Sequence, residues 1–186
     1  MEIIIRQARP VEAIKIAPLI FDAIGEIANR LTGEHEEDAI LNTLTELITR
    51  TDNRHSYLNT HVAMQGDQLL GIVVLYDGLS VKALDANLMA WLKEKKVAAT
   101  IDVEAHDDEY YIDTICVAPT ARGLGIGTKL LAYAEQIARE KGYTKLSLNV
   151  ELEKEKARAL YERVGFVITE PWTIIDEPFH HMVKTL

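Results

Sequence analysis

Three glycines at every second position, Gly123, Gly125 and Gly127, follow Arg122 and run straight into an apolar helical stretch. A glycine in a helix costs about 1 kcal/mol relative to alanine, so bare backbone at this place points to a ligand. A strand, a glycine turn and a helix leave free N–H groups at the positive end of the helix dipole, where an anion is favoured. Without Cβ atoms a diphosphate can lie directly on that backbone. Two nucleotide fingerprints fit poorly. The dinucleotide pattern asks for glycine where Thr128 stands, and the P-loop asks for Gly-Lys-Ser/Thr where the order is Gly127-Thr128-Lys129. Just upstream, Asp113 interrupts the run "YYIDTICV". A carboxylate in a buried strand calls for a charged partner or for a role in proton transfer, and both stay open here. Cys116 in the same run offers a thiol, although a lone cysteine in an apolar strand reads first as a small core residue.

These residues need elements to hold them. Residues 110–117 form a strand that delivers the chain into the glycine turn, and apolar positions repeating at three and four predict a helix over 124–141 that Gly142 ends. "KLSLNV" predicts the next strand. Residues 154–164 predict a second helix, and 166–175 and 179–185 the final strands. In the first half, residues 2–8 read as a strand and Pro10 suits a first helical position, with Glu12 favoured at the positive end. Helical spacing then continues to Gly33, with Pro18 predicting two helices or one kinked helix. A helix over 36–50 and a hairpin through Gly66-Asp67 follow. Residues 78–109 are less regular: a helical pattern covers "ALDANLMAWLKEKK", and "VAATIDVEAHDDE" has little period. The later alternation of strand and helix indicates one α/β domain over 1–186 built on a mixed sheet.

Composition narrows the partners. A net charge of −9 argues against a nucleic-acid backbone as partner and leaves a cationic one open. A single cysteine fits a reducing compartment, and no secretory leader or membrane-length apolar run stands out, so a cytoplasmic location is expected. The six histidines show no metal-ligand spacing with supporting carboxylates or thiols, so no metal is expected. The acidic runs at 34–38 and 106–109 read as solvated surface that could also draw in a cationic acceptor.

Preceded by "Val117-Ala118-Pro119", the loop resembles the acetyl-coenzyme A loop of the GNAT superfamily of N-acetyltransferases. Downstream, "Ala157-Arg158-Ala159-Leu160-Tyr161-Glu162-Arg163-Val164-Gly165-Phe166" is similar to that family's Ala-x-x-Leu-Tyr-x-x-x-Gly-Phe signature. The resemblance implies a mixed, mostly antiparallel sheet flanked by helices, with acetyl-CoA as donor and a primary amine as acceptor. It implies a coenzyme site at Cys116, Val117, Arg122, Gly123, Leu124, Gly125, Ile126, Gly127 and Thr128, the loop N–H groups holding the pyrophosphate and the Val117 backbone the pantetheine arm. Tyr161 becomes the expected acid for the departing thiolate, and Asp113 a candidate base or acceptor-binding group. The family often has Asn three positions ahead of Ala157, where this chain has Lys154, and Asn149 is a substitute polar contact. Other acyl donors, a protein N-terminus as acceptor, and a coenzyme-binding module without turnover are the competing readings. A homodimer is left open, and neither nucleic acid nor membrane is expected as partner.

Overall fold

Strands β1 (Ile4–Gln7), β2 (Thr60–Gln65), β3 (Gln68–Asp77), β4 (Tyr110–Val117), β5 (Lys145–Glu151), β6 (Val167–Ile174) and β7 (Glu177–Thr185) form one sheet in the computed structural model, which describes residues 2–186. Their order is β1-β2-β3-β4-β5-β7-β6. Every neighbouring pair is antiparallel except β4 and β5. Around the sheet lie α1 (Ala13–Ile24), α2 (Ile27–Thr32), α3 (Glu37–Thr49), α4 (Val81–Glu94), α5 (Ile126–Glu140) and α6 (Glu155–Arg163).

The central strands are apolar on both sides because both sides are covered. Ile72, Val74 and Tyr76 of β3 pack with Ile16 and Ile20 of α1 and Leu44 of α3. The alternate residues Val73 and Leu75 pack with Leu130, Leu131 and Ala134 of α5. A smaller cluster joins α4 to α2 and α3 through Leu88, Leu92, Leu31 and Leu47.

One expectation is corrected and another holds. Pro18 does not divide the first helix: it lies on the exposed face of α1, where water can take the Ile14 carbonyl that a proline cannot bond. The break comes at Gly25, whose φ of 51° ends α1. The 78–109 stretch keeps its helix as α4, and residues 95–109 run without regular structure along the sheet.

Sheet geometry makes the site. β4 and β5 pair only through Tyr110–Leu146, Tyr111–Ser147 and Ile112–Leu148, although both strands continue beyond. The β3–β4 register shifts between Val74 and Leu75, leaving Asp113 as the extra residue of a bulge. A bulge bends its strand and sharpens its twist. Past Ile112 the two strands part.

Candidate active site

Where β4 and β5 separate, a cleft of about 190 Å³ opens, lined by Thr114 and Ile115 on one side and Leu148 and Val150 on the other, with Tyr161 and Phe179 closing it. The end of β4 leads through a single turn (Pro119–Ala121) to the glycine loop.

Gly123 (φ 79°) and Gly125 (φ 75°) adopt left-handed backbone, and Gly125 caps α5. Among the described residues, no backbone N–H from Arg122 to Thr128 donates to a protein acceptor; the first that does is Lys129, to the Gly125 carbonyl. Ile126 is buried beneath the loop, while Leu124 and Thr128 are exposed. A methyl group at Gly127 would make only ordinary contact, 3.6 Å from Leu160 and 3.8 Å from Val117. That short distance also shows that the loop lies against α6 and the end of β4. The Val117 carbonyl receives a long contact from Arg122 Nε at 3.4 Å and a weak one from the Cys116 thiol at 3.9 Å.

Tyr161 projects from α6 into the cleft wall, edge-on to Phe166 with ring centroids 6.1 Å apart. No described residue hydrogen-bonds its hydroxyl. Burial, with a smaller contribution from Glu151, pushes its ionisation up to about 12, so it carries its proton at neutral pH.

Of the two roles open for Asp113, the geometry is that of pairing. Its carboxylate accepts from Tyr76 Oη at 2.5 Å and Thr114 Oγ1 at 2.6 Å, with Arg54 at 3.3 Å and His55 at 3.2 Å. Burial opposes the charge, but His55, Arg54 and the hydrogen bonds prevail and hold the group well below the ordinary carboxylate range. Asn149 lines the cleft, and its side chain is engaged by its neighbours. Its Nδ2 donates to the Glu104 carbonyl (2.8 Å) and Tyr111 Oη (3.2 Å), and its Oδ1 faces His181 Nδ1 at 2.7 Å. Cys116 packs in the α1 core, where burial raises its thiol and leaves it a poor nucleophile.

Arg54, Glu104 and Tyr111 form a polar wall that the sequence reading missed. Arg54 is 2% exposed in its side chain; it makes a bidentate pair with Asp85 (2.9 and 2.8 Å) and reaches Glu104 at 2.5 Å. Tyr111 Oη donates to the other Glu104 oxygen at 2.8 Å. Burial keeps the Glu104 carboxyl above its usual range, with Arg54 opposing and Asp113 adding to the shift. Arg54, Glu104 and Asp113 all line the cleft. In the sequence Arg54 and Glu104 sit in stretches with no periodicity, so no local signal marked them.

A third cluster corrects the expectation that the histidines lack a supporting carboxylate. One ligand atom each from His106, Glu109 and His181 falls within 4.8 Å of the others.

Residues 21–166 match the profile of the Acetyltransferase (GNAT) family, most of the chain, and the protein belongs to that family. It is 27% identical to the uncharacterized N-acetyltransferase YhfO of Bacillus subtilis (strain 168) over 162 residues, 87% of this chain and 88% of that one. It is also similar to a chloroplastic GCN5-related N-acetyltransferase 7 of Arabidopsis thaliana, 32% identical over 92 residues. That match takes in 48% of this chain and only about a third (33%) of the plant protein's length. A crystal structure described as that of an acetyltransferase superposes with a TM-score of 0.82 at 30% identity, covering 98% of both chains. The mixed, mostly antiparallel sheet flanked by helices is therefore the family's fold. Among the described residues, no helix is long and apolar enough to cross a membrane.

Proposed function

We propose that the protein transfers an acetyl group from acetyl-CoA to a primary amine by direct attack within a ternary complex. The observation that carries this is the pairing of a loop of unsatisfied N–H groups with a cleft holding an un-ionised, un-bonded phenol. The diphosphate lies on the N–H groups of Arg122 to Thr128, at the positive end of α5. The Val117 carbonyl accepts from a pantetheine amide, which directs the thioester into the parting of β4 and β5. A neutral amine entering from the opposite side attacks the thioester carbon. As the carbon–sulfur bond breaks, Tyr161 passes its proton to the sulfur, and the nitrogen loses one to water or to a cleft carboxylate. Free coenzyme A and the acetamide leave.

Asp113 serves here as a holding group, saturated by four partners, and does not take the amine proton. Negative charge in the wall exceeds the charge of Arg54, since Asp85, Glu104 and Asp113 surround it. Such a wall favours a cationic acceptor and helps draw it in. Cytoplasmic action fits this chemistry, because acetyl-CoA is a soluble donor.

The test is free-thiol release from acetyl-CoA across a panel of polyamines, amino acids, aminoglycosides and short peptides, with Tyr161→Phe beside the native chain. Removing the hydroxyl keeps the ring and its packing, so turnover should fall about 10²–10⁴-fold. Coenzyme affinity should move little, since a proton given only in the transition state contributes nothing to ground-state binding. Equal turnover by both chains, with chemistry shown to limit the rate, rules out Tyr161 as the acid.

A further inference from the structure

Next to the cleft but outside its lining, Glu109 and His181 are both buried and face one another. His181 Nε2 lies 3.0 and 3.2 Å from the two carboxylate oxygens of Glu109. The proton on the other ring nitrogen can be placed from chemistry alone. Asn149 Nδ2 must point to the Glu104 carbonyl, which only accepts, so Oδ1 faces His181 and Nδ1 must donate to it. In a neutral ring Nε2 then carries a lone pair, aimed directly at a carboxylate. Two lone pairs cannot be neighbours in a buried site without a positive charge between them. A proton can be that charge, and so can a metal cation.

Three further features favour the cation. Glu109 is already oriented, since its Oε2 accepts the His106 backbone N–H at 3.1 Å. The His106 ring stands at 87° to that of His181 with centroids 5.5 Å apart, and one of its ring nitrogens belongs to the same cluster of ligand atoms. Glu170 Oε1 is 2.6 Å from His106 Nε2. The Asn149–His181 contact is also the arrangement by which an outer partner fixes the tautomer of a ligating imidazole.

We propose that a ring nitrogen of His106, a Glu109 oxygen and His181 Nε2 bind one divalent transition-metal cation of the zinc type, with Glu170 beside the His106 ring as a further oxygen donor. Two imidazoles and a carboxylate are the donor set that suits such a cation. Binding displaces any proton held on the two ligating ring nitrogens to solvent, so charge and atoms balance. Metal–nitrogen bonds of about 2.0–2.1 Å in tetrahedral geometry require a ligand separation of 4.8 Å to close by roughly 1.5 Å. His106 can move that far: it stands in the irregular loop with its side chain 48% exposed, while His181 and Glu109 are fixed. The cation would pin residues 95–109 to β7. It would thereby steady Glu104, which this loop presents to the cleft.

Trp172 supplies an optical reporter, stacked on His181 at 4.5 Å and edge-on to His106 at 5.0 Å. The experiment uses the full untagged chain, stripped with a chelator, then titrated with Zn²⁺ by calorimetry and Trp172 emission. Co²⁺ is titrated in parallel for its visible absorption. The expected result is one Zn²⁺ per chain, with the melting temperature raised about 5–10 °C at a hundredfold excess over the dissociation constant. His106→Ala, at an exposed position, should weaken binding by more than about a hundredfold, beyond what loss of an outer-shell partner costs. Glu109→Gln should do the same, and His180→Ala should leave it unchanged. No saturable binding by the native chain, or full binding by folded His106→Ala, overturns the proposal.

Discussion

Two walls adjoin β4, the glycine loop after its end and the polar cluster around its Asp113, and they are built on opposite principles. The glycine loop is a backbone device: left-handed φ at Gly123 and Gly125, seven N–H groups in succession without an acceptor, and almost no side chain taking part. The wall around Arg54 is a side-chain device in which an arginine and three carboxylates, drawn from four separate stretches of chain, satisfy one another out of water. The first leaves its hydrogen-bonding capacity open for a ligand. The second uses nearly all of its capacity internally. The glycine wall is thus expected to be thermodynamically cheap to alter but functionally sensitive, and the polar wall the reverse.

Replacing Arg54 tests the contrast most strongly. Arg54→Met leaves Asp85, Glu104 and Asp113 buried without their cation, and loss of one partner from such a group typically costs about 3–5 kcal/mol. Denaturant unfolding should show that loss, while the coenzyme affinity of the chain that remains folded should stay near native. If affinity falls with stability, the two walls are coupled and the contrast fails.

Ligand addition probes the other wall. Acetyl-CoA at a hundredfold excess over its dissociation constant should stabilise the fold by about 2.7 kcal/mol. A pantetheine fragment lacking the diphosphate should stabilise far less at equal concentration. Equal melting shifts would place the diphosphate somewhere other than the loop.

Acid should act on the loop side through His61. That ring is buried on β2 with Nδ1 3.1 Å from the hydroxyl of Tyr133, on the helix that follows the loop. Burial, helped slightly by Lys141, lowers its pKa to about 4. The unfolded chain therefore binds the proton first as pH falls. The stabilisation is present in full above about 6.5 and is lost progressively as pH drops toward 4, about 2 kcal/mol of it between pH 7 and 5. His61→Gln should flatten that part of the pH–stability curve; an unchanged acid limb would mean that other groups dominate it.

The smallest effect sharpens the comparison. Gly125→Ala meets no atom within 4 Å, so its penalty is the left-handed backbone alone, roughly 1–2 kcal/mol in stability. Coenzyme binding should weaken as well, where an equally mild change on the exposed face of α4, Lys82→Ala, should not touch it. Unaltered affinity in Gly125→Ala would show that this turn tolerates a side chain beneath the ligand.

What was legible in advance follows the same division. The glycine turn, α5, α6 with Tyr161, and the strands on either side could all be read from the chain, because each depends on neighbours a few residues apart: period two, spacing of three and four, a glycine where φ must be positive. Pro18 was misjudged because its cost depends on whether the orphaned carbonyl meets water, and that depends on which face of α1 turns outward. Tertiary structure alone decided the partners of Asp113, the use of Asn149 within the interior, the burial of Arg54 and the meeting of His106, Glu109 and His181. Arg54 and Asp85 are 31 residues apart in the chain, and Glu109 and His181 are 72 apart. Coulomb attraction and hydrogen bonding act over a few ångströms of space and have no period along the chain. Local sequence therefore determined where a coenzyme could lie, and only the folded sheet decided which charges would face it.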